Sequence, residues 1–254
     1  MSESIEGRST PRLLLVVPCY NEAGRLPEAA FLEAAQQRSD TAFLFVNDGS
    51  TDDTAGMLER LCADANGNLA ALNLPRNLGK AGAVRSGVLA ALQQNPEFVG
   101  FWDADLATPL AAVQDFVGVL DANPQIEIVM GARVKLLGRQ VDRYPFRHYS
   151  GRLFATAASL ALNLAVYDTQ CGAKIFRVTP GTREAFRAPF GSRWVFDVEL
   201  LARYIAFMGK DAANHIYELP LMTWIDVPGS KVRPWHGVQA IWDIARIWRQ
   251  YSRP

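Results

Sequence analysis

The densest group of chemically capable residues is W-D-A-D-L-A-T-P at 102–109, where Asp103 and Asp105 stand two apart at the end of the apolar run 98–102. Alternate residues of an extended chain face the same way, so the two carboxylates are expected to act together on a hard divalent cation, Mg²⁺ or Mn²⁺, which neutralises phosphate oxygens. Three other polar clusters also follow apolar runs. They are V-P-C-Y-N-E at 17–22, N-D-G-S-T-D-D-T at 47–54 and N-L-G-K-A-G-A-V-R-S-G at 77–87. The first two have the composition of ordinary turns as well as of a binding site. The third has glycines that allow close backbone approach and Lys80 to meet a diphosphate. It has neither the GxxxxGK[ST] order of a P-loop nor the GxGxxG of a dinucleotide site, so both of those readings fall.

These clusters need a frame. Five aliphatic runs, 13–17, 43–46, 69–74, 98–102 and 126–130, alternate with helix-compatible stretches such as 52–65 and 81–94, the first of which Ser50 or Thr51 can cap. The runs are continuous rather than alternating, as in strands buried on both faces. The expectation is an α/β fold with a mostly parallel central sheet flanked by helices. Ligands of open sheets collect at the carboxyl ends of the strands, where all four clusters fall. Beyond Arg133 come a basic connector, a long helix over about 146–166, a strand near 174–178, a helix around 195–208, a strand near 216–223 and a C-terminal helix.

Composition narrows the function. With 254 residues, 49% hydrophobic and 20% charged, the chain reads as globular, and 26 Lys+Arg against 26 Asp+Glu offer no bulk attraction for nucleic acid. Three cysteines without CxxC spacing fit a reducing compartment, and the polar opening residues carry no secretory signal, so a cytoplasmic protein is expected. The longest apolar stretch, 153–166, is too short and too polar to span a bilayer. His148, His215 and His236 are too scattered for a metal or triad site.

Taken in order, residues 17–22, 47–54, 77–87 and 103–109 resemble the family-2 glycosyltransferases of GT-A fold, inverting enzymes that use a nucleotide-diphosphate sugar. Within that family, D-T-Q-C-G-A-K-I-F at 168–176, R-W-V-F-D-V-E-L-L at 193–201 and P-G-S-K-V at 228–232 resemble the dolichyl-phosphate β-glucosyltransferases. The resemblance runs from about Arg12 to the C-terminus. It implies one GT-A domain over 12–254 behind a flexible stretch 1–11, with a nucleotide-sugar half at 12–132 and an acceptor half at 133–254. It implies transfer of glucose from UDP-glucose to a polyprenyl phosphate, dolichyl or undecaprenyl.

Carried over by position, Pro18, Tyr20, Glu22 and Asp48 hold base and ribose, and Lys80, Asp103 and Ala104 complete the donor pocket. Asp103 and Asp105 hold the metal, and Arg133 contacts phosphate. Two features depart from the pattern: the eukaryotic glucosyl enzymes carry an N-terminal membrane anchor that is not expected here, and Ala107 stands where some polyprenyl-phosphate mannosyltransferases have Gln.

On the acceptor side, Asp197 and Glu199 lie among Trp194, Phe196, Val198 and Leu200, surroundings in which carboxylates do acid–base work or orient an acceptor. Asp197 and the metal-holding Asp105 are the candidate catalytic residues; the alternative for Asp197 is a helix-capping Asp, and that for Glu199 a surface position. The connector 133–152 sets six Arg and Lys against Asp142 among Leu136, Leu137, Tyr144 and Phe146, a mixture suited to a phosphate at a membrane surface or to a solvated face. Arg147 and Lys231 are the candidates for the acceptor phosphate. Trp235, Val238, Trp242 and Ala245 share helical spacing near Arg246, Arg249 and Arg253, which suits either an interfacial helix of a peripheral membrane protein or packing on the sheet. The rival functions are a GDP-mannose polyprenyl-phosphate mannosyltransferase, a family-2 enzyme with a soluble acceptor, a nucleotidyltransferase and a nucleotide-sugar-binding regulator. The nucleotidyltransferase needs a Gly-rich basic loop where Pro18 to Glu22 stands.

Overall fold

The computed structural model describes residues 10–64, 67–142, 145–227 and 236–251. The stretch 1–11, expected to be flexible, falls almost wholly outside the described residues. Strands β1 (Leu13–Cys19), β2 (Thr41–Asn47), β3 (Leu69–Asn73) and β4 (Phe98–Trp102) are separated by helices α1 (Glu28–Gln37), α2 (Thr54–Asp64) and α3 (Gly79–Leu92). Next come α4 (Val113–Ala122), β5 (Ile128–Ala132), β6 (Gln140–Asp142), α5 (Pro145–Leu162), β7 (Ala173–Arg177) and α6 (Pro180–Arg187). The described chain closes with α7 (Phe196–Met208), β8 (Ile216–Pro220), β9 (Thr223–Ile225) and α8 (His236–Tyr251).

Seven strands form one sheet in the order β3-β2-β1-β4-β7-β5-β8. It is parallel except at β7, which runs antiparallel to both β4 and β5. The continuous apolar runs follow from burial on both faces. Leu14 and Val16 of β1 pack into one core with Val84 and Val88 of α3, while Leu13, Leu15 and Val17 point into the other with Phe31 of α1 and Leu58 of α2. Each fully buried side chain of this size contributes about 1.5–3 kcal/mol.

Several local expectations shift. Helix α2 starts at Thr54, so neither Ser50 nor Thr51 caps it; Asp52 Oδ1 instead accepts from the Thr54 N–H at 3.0 Å. The strand expected over 216–223 breaks in two after Pro220, and β9 leaves to pair with β6 in a two-stranded sheet. Helix α5 stops at Leu162 because Asn163 takes a left-handed φ of 48°, a conformation that ends helices. Helix α6 is capped by Thr179, whose side chain accepts from the Thr182 N–H, with proline at the first position.

Candidate active site

The first two polar clusters hold one another. The Asn21 N–H donates to Ser50 Oγ at 3.0 Å, Asn21 Oδ1 accepts from the Thr51 N–H at 2.8 Å, and the Glu22 N–H donates to Thr54 Oγ1 at 2.8 Å. Pro18 and Tyr20 sit partly exposed at the end of β1, beside this junction. Asp48 is buried just beyond β2. Its N–H extends the ladder to the Cys19 carbonyl at 2.8 Å, and its carboxylate accepts from the Leu78 N–H at 2.7 Å. Burial pushes the Asp48 carboxyl up, against the pull of the Leu78 and Gly79 N–H groups and of Arg193. Gly49 has φ +60°, and a Cβ there would meet the Arg76 backbone at 2.6 Å, so this close approach of two loops admits only glycine. The turn-like composition of 47–54 thus serves to bring loop 75–79 over Asp48.

Asp103 and Asp105 lie past the end of β4, in a turn closed by the Leu106 N–H to the Asp103 carbonyl at 3.2 Å. Strand alternation therefore does not bring them together; the turn does, with Ala104 buried at its centre. Trp102 braces the loop by donating from Nε1 to the Thr108 carbonyl at 2.7 Å. Lys80, on the first turn of α3, reaches Asp103 at 2.5 Å. Withdrawal from water works against the Lys80 charge, but Asp103, Asp197 and Asp105 together hold its ammonium above the ordinary value. Withdrawal from water would raise Asp103, and Lys80, with Lys174 and Arg133 behind it, pulls it below the usual carboxylate range. Asp105 is pushed up, first by burial and then by repulsion from Asp103. These shifts place Lys80, Asp103, Asp105 and Asp197 in one electrostatic neighbourhood, and the hydrogen bond from the Leu78 N–H, two residues before Lys80, brings Asp48 beside it.

Two carboxylates that repel one another fit a hard divalent cation. Among the described residues no group of three or more His, Cys, Asp or Glu could hold an ion, so the protein would supply two ligands here. That is the pattern of Mg²⁺-type sites completed by substrate phosphates and water.

Arg133 sits at the end of β5 and grips Asp168, with Nε to Oδ2 at 2.6 Å and Nη2 to Oδ1 at 2.8 Å. It also stacks over Trp224 at 5.4 Å. Burial opposes its charge and Asp168 restores it, holding the guanidinium above its ordinary value. The fork that would meet a phosphate is thus turned to Asp168. Asp197 is no helix cap: it is the second residue of α7, buried, with Oδ1 held by Lys174 Nζ at 2.5 Å. Glu199 is not at the surface either. It is buried, bonds Arg203 at 2.7 Å and accepts from the Gly191 N–H at 2.9 Å, which makes it a brace for the loop before α7.

Sequence reasoning missed three residues. Lys174 is wholly buried on β7, bonded to Asp197 and to the Cys171 carbonyl at 2.6 Å. A lysine inside the run A-K-I-F-R was the available signal, since a central strand accommodates a charge only with a partner. Gly172 packs against the Asp103 carboxylate. Arg193 stands beside Gly79, a neighbour in space that no spacing reveals. Of the acceptor-phosphate candidates, Arg147 falls in α5 but its side chain lies outside the described residues, as does Lys231 altogether; Trp235 and Arg253 are outside them too.

The C-terminal helix presents two faces. Ala240, Ile244 and Ile247 are buried, whereas Ile241, Trp242, Ala245 and Trp248 are exposed beside Arg246 and Arg249. Trp242 and Ala245 therefore do not pack on the sheet. Among the described residues no helix is long and apolar enough to cross a membrane.

The chain is 34% identical to the human dolichyl-phosphate β-glucosyltransferase, over 98% of this chain and 78% of that protein, and 32% identical to the Drosophila melanogaster protein of the same name over the same shares. In three dimensions it resembles the glucosyl-3-phosphoglycerate synthase of Mycobacterium tuberculosis crystallised with Mn²⁺, UDP-glucose and phosphoglyceric acid. The TM-score is 0.65 at 17% identity, covering 96% of this chain and 81% of that one, a likeness of fold. The model of glycosyl transferase family 2 matches residues 14–180, and the chain belongs to that family.

Proposed function

We propose that this glycosyltransferase moves glucose from UDP-glucose to a polyprenyl phosphate with inversion, acting from the cytoplasmic face of a membrane. The observation that carries the reading is the grouping of Lys80, Asp103, Asp105 and Asp197 just past the end of β4, with Asp48 held beside it by the Leu78 N–H. Pro18, Tyr20, Glu22 and Asp48 form the nucleoside end, where Asp48 is already aligned by loop 75–79. Asp103 and Asp105 would hold Mg²⁺ or Mn²⁺, which when bound neutralises charge on the leaving diphosphate. Lys80 adds a fixed positive charge at the same place, aligned before reaction by Asp103. Arg133, bound to Asp168, adds positive potential from behind.

A phosphate acceptor is ionised near neutral pH, so it needs orientation more than a strong base. Asp197 supplies that orientation: Lys174 fixes its carboxylate while its place in the first turn of α7 keeps it close to Lys80. Lipid access is supported by the exposed Leu153 and Leu160 of α5, by Leu136 and Leu137 of the basic connector, and by the exposed Trp242–Trp248 face of the neighbouring helix α8. Such apolar faces rimmed by arginine suit an anionic bilayer surface.

Turnover of radiolabelled UDP-glucose and GDP-mannose by the purified protein with Mn²⁺ or Mg²⁺, with and without polyprenyl phosphate, tests the reading. Label carried into the organic phase from UDP-glucose alone is expected. Label from GDP-mannose assigns the mannosyl reaction instead, and none from either donor refutes a lipid acceptor.

A further inference from the structure

Three cations face the aspartates of the site, and each is tied to one of them: Lys80 to Asp103, Arg133 to Asp168 and Lys174 to Asp197. Arg193 differs. It is exposed, and among the described residues its guanidinium makes no hydrogen bond or ion pair. Its stem and Nε pass 3.4–3.6 Å from where a Cβ on Gly79 would stand, between Leu78, whose N–H holds Asp48, and Lys80. Its charge is near enough to favour the ionised form of Asp48.

The segment that carries Arg193 is braced. Ser192 Oγ accepts from the Trp194 and Val195 N–H groups at 3.3 and 3.1 Å and donates to Asp243 of α8 at 2.6 Å. Glu199 accepts from Gly191 and Ser192, and Gln170 donates to the Trp194 carbonyl at 3.1 Å. A backbone held this firmly, with a free guanidinium head over a side-chain-less position, presents five N–H donors at low entropic cost.

Charge identifies what those donors meet. Asp48, Asp103, Asp105, Asp168 and Asp197 outnumber the three cations tied among them by two, a surplus that a divalent cation held by Asp103 and Asp105 would only cancel, so the charge of an entering donor diphosphate is left to a further cation. The planar fork of a guanidinium matches two phosphate oxygens. We propose that Arg193 grips the diphosphate of the sugar donor, reaching over Gly79 from the half of the chain that otherwise serves the acceptor; the inference rests on the nucleotide-sugar reading above.

The test is binding to the full-length protein with Mn²⁺: UDP by calorimetry and uridine by ligand-detected NMR, for the wild type, Arg193→Ala and Arg193→Lys. Arg193→Ala is expected to weaken UDP about tenfold or more, the loss of a charge-assisted contact, with uridine changed less than about twofold. Arg193→Lys falls between, because the charge stays and the fork goes. The melting temperature stays within about 1 °C, since the guanidinium supports nothing in the fold. A UDP affinity unchanged within about twofold overturns the inference, and so does equal weakening of UDP and uridine, which would put Arg193 at the nucleoside. A wild-type protein that binds neither ligand overturns the donor reading itself and this inference with it.

Discussion

Gly172→Ala is expected to disable the site while the fold stands. Trp102 of β4 pairs with Ala173 of β7, and one residue further the Asp103 N–H donates to the Gly172 carbonyl at 3.0 Å. A Cβ on Gly172 would lie 1.8 Å from Asp103 Oδ2 and 2.1 Å from its Cγ. To recover ordinary contact the carboxylate retreats by about 1.5 Å. It is the free end of a side chain that is 35% exposed, so it yields where the paired strands do not. The fold then loses only the half-exposed Lys80–Asp103 pair, at most about 1 kcal/mol, or about 2–4 °C in Tm for a chain of this size. Chemistry loses more, because a displacement of about 1 Å in a positioning group costs about 10²-fold, equivalent to about 2.7 kcal/mol of barrier. Differential scanning fluorimetry and kcat/KM for the donor read the two effects separately. A kcat/KM within about threefold of wild type refutes the reasoning. A Tm loss above about 10 °C also refutes it, since the strand rather than the carboxylate would have moved.

Lys174→Met leaves Asp197 buried without its partner and is expected to cost about 3–5 kcal/mol in urea unfolding; Lys174→Met with Asp197→Leu recovers most of that yet stays inactive, and activity in the double variant would reduce Asp197 to a mere partner of Lys174. Asp105→Asn leaves the fold's hydrogen bonds largely intact and is expected to lower metal-dependent turnover by about 10²-fold or more, with turnover within about threefold removing Asp105 from the metal site. Arg12 bonds Asp121 and holds it below the usual carboxylate range, so the stabilisation is full above the unfolded value and fades as pH falls toward the depressed folded one. Arg12→Ala accordingly lowers the unfolding free energy near pH 7 by less than about 1 kcal/mol for so exposed a pair, and by less again in acid; an equal loss at both pH values in urea unfolding contradicts the linkage. Trp242→Ala with Trp248→Ala is expected to leave Tm unchanged and to reduce sedimentation with anionic liposomes several-fold, and undiminished sedimentation would clear this face of lipid contact.

The four polar clusters of the first half were legible because each is local: an apolar run ends, and the residues that follow stand at a strand's carboxyl end. Lys80, Asp103 and Asp105 stood out by residue type and Asp48 by the family resemblance, without further knowledge of the fold. Their union needed that knowledge, and so did the mistaken reason for pairing Asp103 with Asp105, since extended and turn conformations of D-A-D read alike in one dimension. In the second half, the character of a residue depended on distant partners. Glu199 read either as an acceptor-side carboxylate or as a surface position and is a buried brace, because Arg203 and two loop N–H groups neutralise and satisfy it. Arg133 read as a phosphate ligand, yet Asp168, 35 residues away, holds its fork.

The sequence by itself determined the layered α/β frame, through continuous aliphatic runs that only a sheet covered on both faces can bury, and the chemistry of the donor end, through residue types that follow those runs. Only the tertiary structure decided which charges are tied and which are free. Antiparallel β7, inserted between β4 and β5, brings Gly172 against Asp103 and Lys174 against Asp197, and the loop before α7 swings Arg193 over Gly79. Charge pairing is a property of distances in space, falling within a few ångströms, and partners that stand 23 to 35 residues apart on different elements meet only where the fold brings those elements together.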